Sequence, residues 1–111
     1  MEPIQLALKF MDIFFPGENL EKLRPLLADD FSFSGPFYQF DSAEDYIKSI
    51  EVDPPKEFQY KIIRSFEDDS SACLIYEFIK PGVSTPMAQW FEVKDGKISR
   101  ILLIFDAGAF V

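Results

Sequence analysis

The sequence predicts an α+β domain in which N-terminal helices pack on one face of a curved antiparallel sheet. Three observations predict it. Apolar residues near the N-terminus recur at three- and four-residue steps, which is the helical period. Long runs of β-branched and aromatic residues fill the second half of the chain, and helices first with strands later is typical of segregated layers. At 111 residues the chain has room for one core, so residues 1–111 are predicted to form a single domain.

The first half of the chain is predicted to be mostly helical. Pro3 suits the first position of a helix, and the apolar residues after it cover most of the helix girth until Pro16-Gly17 ends it. Ser42 is predicted to cap a later helix that ends before Pro54-Pro55. Between these helices we expect a shorter helix at residues 19–27, a strand at 31–34 and an aromatic loop at 37–40.

The second half is predicted to form four long strands, at residues 58–66, 72–80, 86–93 and 98–106. Asp95-Gly96 is typical of a hairpin turn, because both residues tolerate positive φ. The last strand is apolar at both sets of alternate positions, Ile101, Leu103 and Phe105 against Ile98, Leu102 and Ile104. Since the helices can cover only one face of the sheet, the other is predicted to lie in a homodimer interface. The alternative is a monomer with residual apolar surface.

Composition excludes several classes of function. Without histidine there is no Ser-His-Asp triad, no Cys-His pair and no imidazole metal ligand. The single cysteine, Cys73, cannot form an intrachain disulfide, which fits a cytoplasmic location. A net charge of −8 argues against nucleic acid and anionic membranes as partners. No clustered carboxylate motif, signal peptide or membrane-spanning apolar run is present, so no metal, cofactor or membrane anchor is predicted.

Three segments carry a resemblance that covers nearly the whole chain. They are Leu27-Ala28-Asp29-Asp30-Phe31-Ser32-Phe33, then Gly35-Pro36-Phe37, and finally Phe91-Glu92-Val93-Lys94-Asp95-Gly96-Lys97-Ile98 closing into Ile104-Phe105-Asp106. In this order they resemble the SnoaL-like branch of the nuclear transport factor 2-like superfamily. The resemblance implies a cone-shaped, cystatin-like fold with a pocket between sheet and helices. Because that superfamily includes isomerases, cyclases, hydrolases, dehydratases and non-catalytic binding or assembly modules, the fold does not choose a function.

The resemblance also shows which catalytic residues are missing. The general base of ketosteroid isomerase falls at Gly35, and its tyrosine donor falls at Phe10 or Met11. Its protonated aspartate falls at Ala88 or Gln89, of which only Gln89 could donate a hydrogen bond. Without the base the proton shuttle of that enzyme is lost.

Carboxylates are the remaining candidates for catalysis. One aspartate of limonene epoxide hydrolase falls at Leu103, and the other finds at best Glu77. Glu77 facing the pocket would be a carboxyl group with a raised pKa, whereas facing outward it would be a solvated or interface residue paired with an arginine. Asp106 is either a turn residue or a carboxylate at the pocket mouth, and Asp41 either helps to cap a helix or lies at the pocket rim.

Amphipathic and apolar side chains are predicted to bind a ligand. These are Phe10, Phe14, Tyr38, Tyr60, Tyr76, Met87, Gln89, Trp90, Leu103 and Phe105. The favoured hypothesis is a protein that binds a small apolar or aromatic molecule, its reaction unknown. The alternatives are a non-catalytic dimerisation or association module with a filled core, and an isomerase, cyclase or hydrolase that uses a carboxylate such as Glu77. A cavity of at least about 300 Å³ would separate the first hypothesis from the filled core.

Overall fold

One six-stranded sheet organises the molecule, with strand order β2-β1-β6-β5-β4-β3. The computed structural model describes all residues, Met1–Val111. The elements in chain order are α1 (Pro3–Phe14), a first 3₁₀ helix (Leu20–Leu26), β1 (Leu27–Ser34), β2 (Gln39–Phe40), α2 (Ala43–Val52), β3 (Gln59–Glu67), β4 (Ser71–Lys80), β5 (Val83–Lys94), β6 (Lys97–Phe105) and a second 3₁₀ helix (Ala107–Phe110). The predicted α+β fold class is confirmed.

The largest departures from the predicted elements lie between the two α-helices. The segment expected as a short helix is a 3₁₀ helix, and Pro25 inside it has no N–H to donate to an α-helical ladder. Strand β1 starts at Leu27, four residues before the predicted start, and pairs in parallel with β6, so the sheet is mixed. The expected aromatic loop contributes the two-residue strand β2. The four later strands form the antiparallel meander that the sequence predicts.

The core lies between the helices and one face of the sheet, called here the inner face. Helix α1 packs mainly on β4, where every second residue is buried: Ala72, Leu74, Tyr76 and Phe78. Helix α2 packs on β1 and buries Tyr46 and Ile47. As predicted, Ser42 caps α2, because its Oγ accepts a hydrogen bond of 3.1 Å from the amide of Asp45.

A bulge in β6 changes which residues share a face. Val93 pairs with Ile98 and Glu92 pairs with Arg100, so Ser99 is an extra residue in the strand. Ile98 and Ile101 are therefore both on the inner face, each 0 % exposed. The prediction that Ile98 lies with Leu102 and Ile104 is wrong, since simple alternation does not account for an inserted residue.

The opposite, outer face of the sheet is apolar and carries no helix. It is formed by Phe66, Cys73, Ile75, Ala88, Trp90, Leu102 and Ile104. Phe66 and Ile104 are each 57 % exposed in the single chain. The second apolar face expected from the sequence is therefore present.

Gly17 fixes the close approach of two loops, the one after α1 and the one after α2. Its φ is +66°, and a Cβ there would lie 2.3 Å from the carbonyl oxygen of Pro55. Only glycine fits both the left-handed backbone and that contact. Pro55 lines one wall of the cavity described below, so this contact positions part of that wall.

We expect Gly17→Ala to lower the free energy of unfolding by about 2–4 kcal/mol, measured by urea denaturation, because it adds steric overlap to backbone strain. Gly82→Ala is the matched control. Gly82 has φ +83° but no atom within 4 Å of the added Cβ, so that variant carries backbone strain alone, about 1 kcal/mol. Equal losses in the two variants would contradict the role of the Pro55 contact.

Candidate functional site

A cavity of about 710 Å³ lies between the helices and the inner face of the sheet. Of its 25 lining residues, 17 are hydrophobic. At its floor, Phe10 and Tyr76 are almost completely buried, whereas Phe37 and Tyr38 at its rim are 52 % and 64 % exposed. The cavity is thus a pocket with a buried apolar interior and an aromatic mouth.

All but two of the predicted ligand-binding residues line this cavity. Those that do are Phe10, Phe14, Tyr38, Tyr76, Met87, Gln89, Leu103 and Phe105. Tyr60 is outside the lining and donates a hydrogen bond of 2.7 Å to Oδ1 of Asp12 on α1. Trp90 lies on the outer face, where the guanidinium of Arg100 sits 5.6 Å from its ring.

The three candidate carboxylates lie outside the cavity lining. Glu77 is on the outer face and accepts a hydrogen bond of 2.7 Å from Oγ of Ser84, with no arginine partner. Asp106 caps the second 3₁₀ helix by accepting from the amide of Gly108 at 2.9 Å. Asp41 is exposed in the loop before α2. A catalytic role for Glu77 inside the pocket is therefore incompatible with the orientation of its strand.

A buried hydrogen bond forms the polar part of the cavity floor. The hydroxyl of Tyr76 on β4 donates to Oε1 of Gln89 on β5 at 2.8 Å, and the two residues are only 2 % and 4 % exposed. Burial raises the pKa of Tyr76 well above its usual value, because the phenolate would be poorly solvated there. The floor is therefore polar but uncharged across the physiological pH range.

Tyr46 lines the cavity but is absent from the predicted ligand-binding residues. Its ring centroid lies between 5.1 and 6.4 Å from the rings of Phe10, Phe31, Phe33 and Phe40. Burial strongly raises the pKa of its hydroxyl, and the nearby Tyr76 raises it further. A tyrosine on an otherwise apolar helix face was the available signal, since its hydroxyl needs a partner or a cavity.

The mouth of the cavity combines aromatic rings with one cation. Phe37, Phe105 and Phe110 pack edge to face, with ring centroids 5.1–5.9 Å apart. The ammonium of Lys80 lies 5.3 Å from the ring centroid of Phe110 and 5.7 Å from that of Phe58. Charged lining residues are thus restricted to Lys80 and the exposed Asp53. No three His, Cys, Asp or Glu side chains come together as metal ligands would.

These features define a cone-shaped α+β protein with an apolar pocket between its helices and a single curved sheet. The chain belongs to the SnoaL-like domain family, whose model matches residues 7–101. No curated protein sequence matches it. No helix of the structure has both the length and the apolarity that crossing a membrane requires.

Solved structures share this fold over almost the whole chain. A nuclear transport factor 2-like protein of unknown function from Cytophaga hutchinsonii is 24 % identical, with a TM-score of 0.84 over 99 % of this chain and 95 % of its own. A putative ketosteroid isomerase from Kribbella flavida is 24 % identical, with a TM-score of 0.79 over 92 % and 76 %. An LEH-like epoxide hydrolase from M. tuberculosis is 19 % identical, with a TM-score of 0.81 over 96 % and 84 %. At these identities the similarity establishes the fold alone.

Because two tyrosines are buried, we expect the free energy of unfolding to fall in alkali. A tyrosine whose pKa is raised by folding contributes stability below its unfolded-state pKa, which is near 10. That contribution is lost as the pH rises above this value. Each tyrosine held neutral should therefore lower the free energy of unfolding by about 1.4 kcal/mol per pH unit above pH 10. Tyr46→Phe should make this decline shallower by that amount, as measured by urea unfolding at successive pH values between about 9 and 11.5. Parallel pH profiles of the wild type and the variant would contradict the burial of the hydroxyl.

Proposed function

We propose that this protein binds a small apolar or aromatic molecule in the cavity between α1, α2 and the sheet. The observation that carries the proposal is the cavity itself, about 710 Å³ with a mostly hydrophobic lining. This volume is within the range of about 300–1,000 Å³ typical of small-molecule sites. Protein interiors are otherwise packed with few voids larger than a water molecule, so a space of this size argues against the association module with a filled core.

Binding without acid–base chemistry fits the lining best. Gly35 and Leu103, which stand where the resemblance places catalytic aspartates, both line the cavity and carry no acid. Glu77, the carboxylate of the isomerase, cyclase or hydrolase alternative, faces the opposite side of the sheet. General acid–base catalysis needs a titratable group within hydrogen-bond reach of the ligand, and the buried lining offers only neutral tyrosines and Gln89.

We further propose that the protein is a cytoplasmic homodimer that pairs through the outer face. Phe66, Cys73, Trp90 and Leu102 stand side by side in one row across four strands. An uncovered apolar row of this kind is typical of a homodimer interface. A reducing cytoplasm would keep the half-buried Cys73 thiol of this row free.

Charges at both ends of the outer face are compatible with self-association. Glu92 lies opposite Arg100 at one end, and Glu77 lies opposite Lys61 at the other. Each end therefore carries both signs of charge. A second copy that meets this face would therefore find groups of both signs at each end.

Leu103 and Ile104 provide a matched pair of positions for testing the cavity, since they are neighbours on opposite faces of β6. We expect Leu103→Trp to fill the cavity and to weaken binding of the neutral dye N-phenyl-1-naphthylamine by about tenfold or more, measured by fluorescence titration. Ile104→Trp adds the same bulk outside and should bind the dye as the wild type does. Loss of binding in Ile104→Trp but not in Leu103→Trp would place the dye on the outer face and contradict the proposal.

The dimer is tested separately by sedimentation velocity. We expect the wild type to sediment as a dimer at micromolar concentration and Ile104→Glu as a monomer, because two buried carboxylates at the interface would be unpaired. Leu8→Glu is the matched control, since Leu8 is a partly exposed apolar residue on α1, away from the outer face. A monomeric wild type, or dissociation by Leu8→Glu alone, would overturn the proposed interface.

A further inference from the structure

The row of buried side chains on β4 ends in a lysine at the mouth of the cavity. The inner-face residues of this strand are Ala72, Leu74, Tyr76 and Phe78, and Lys80 is the next residue of the same parity. Side chains two residues apart lie on the same side of a strand, so Lys80 extends from the inner face. It is half-buried and lines the cavity. A positive charge is thus built into the entrance of an otherwise apolar pocket.

Two aromatic rings contact the ammonium of Lys80. Its Nζ lies 5.3 Å from the ring centroid of Phe110 and 5.7 Å from that of Phe58. These rings belong to the second 3₁₀ helix and to the loop before β3, and both line the cavity. Aromatic rings attract a cation but offer it no oxygen acceptor for its N–H groups. The ammonium is therefore positioned at the mouth with donors to spare.

No carboxylate of the protein pairs with Lys80. All three ion pairs of the structure belong to Arg24 or Lys48. Asp53, the other charged residue of the lining, is exposed and does not lie within ion-pair distance of Lys80. The chain has 19 acidic and 11 basic residues, so acidic partners are plentiful elsewhere. An unpaired lysine at the entrance of an apolar cavity leaves a place for an anion that the protein does not itself supply.

We propose that Lys80 binds the carboxylate of an amphipathic ligand whose apolar body fills the cavity. This inference rests on the proposed function and specifies the ligand class, an aryl or alkyl carboxylate. The contact between ammonium and carboxylate is a charge-assisted hydrogen bond. The rings of Phe58 and Phe110 exclude part of the surrounding water, which makes the contact stronger than an ion pair on an open surface. A neutral head group would form a weaker bond, and a cationic one would be repelled.

The cavity sets the orientation and the length of such a ligand. Its buried end near Tyr76 contains no cation, so a carboxylate placed there would lose its hydration without compensation. The charge therefore stays at the mouth and the apolar end points inward. Four residues of β4 separate Tyr76 from Lys80, a distance of about 13 Å at the usual rise of a strand. A naphthalene ring with a short carboxylate chain is close to this length.

The acidic character of the protein does not prevent this contact. The net charge is −8, but exposed charges are largely screened beyond about 8 Å at physiological ionic strength. A carboxylate in the cavity mouth therefore responds mainly to the charged groups closest to it. Lys80 is the lining residue that can attract it, and the exposed Asp53 is the one that can oppose it.

Three probes that share one apolar body test this inference: 3-(2-naphthyl)propanoate, 3-(2-naphthyl)propan-1-ol and 3-(2-naphthyl)propan-1-amine. Their dissociation constants are obtained from displacement of N-phenyl-1-naphthylamine, whose own affinity is first measured for each variant. We expect the wild type to prefer the carboxylate to the alcohol and the amine. Lys80→Met should weaken the carboxylate by about threefold to tenfold and leave the alcohol unchanged. Added NaCl should weaken the carboxylate in the wild type and have less effect in Lys80→Met.

Two control variants separate charge at the mouth from other effects. Lys80→Arg keeps the charge and should retain the preference for the carboxylate. Lys9→Met changes the net charge equally on the exposed side of α1 and should bind all three probes as the wild type does. Circular dichroism and thermal unfolding check that each variant is folded.

The outcomes distinguish the anion site from the binding function. If Lys80 only supports the packing of Phe110, Lys80→Met will weaken carboxylate and alcohol alike, and that result would overturn the proposal. Tighter wild-type binding of the alcohol or the amine, or carboxylate binding that does not respond to Lys80→Met, would overturn it as well while the binding function stands. Failure of the dye and of all three probes to bind would overturn the binding function itself.

Discussion

The packing of α1 on the sheet through aromatic rings is the contact on which the rest of the structure depends. Phe10 meets Phe91 of the sheet edge to face at 5.5 Å and stacks on Phe14 at 5.8 Å. Such rings have few rotamers and do not fold into neighbouring space as leucine or methionine side chains can. They hold α1 against the sheet where Phe10 meets Phe91, and they keep the helix away from the neighbouring part of the sheet. The cavity is a consequence of this rigid support.

Local sequence patterns were sufficient to predict the main helices and strands and their order. The features that these patterns missed depend on contacts between distant segments. Ser42 and Asp95-Gly96 act within a few residues of themselves, so the helix cap and the hairpin could be predicted. The extra residue Ser99 depends on the pairing of β6 with β5, and no alternation rule within β6 reveals it. The parallel pairing of β1 with β6 joins segments about seventy residues apart and likewise has no local signal.

In the candidate site, too, some features follow from local sequence and others depend on contacts between distant segments. Pocket-lining residues could be predicted because many aromatic and apolar side chains lie on the inner face of the sheet. The orientation of Glu77 could not, since its strand is apolar on both sides and only helix packing decides which side is inner. Tyr46 gives a weak signal in the sequence, a single hydroxyl on an otherwise apolar helix face. Its position on α2 is typical of a core residue, and only the assembled fold shows that its side chain lines the cavity.

The second 3₁₀ helix has a consequence for handling this protein. Asp106 caps it, and Phe110 thereby reaches the mouth of the cavity beside Lys80. Val111, the next residue, is fully exposed. Any residues attached after it would therefore begin at the entrance through which a ligand passes. A purification tag or fusion partner belongs at the other terminus, where Met1 and Glu2 are exposed and lie outside the cavity lining.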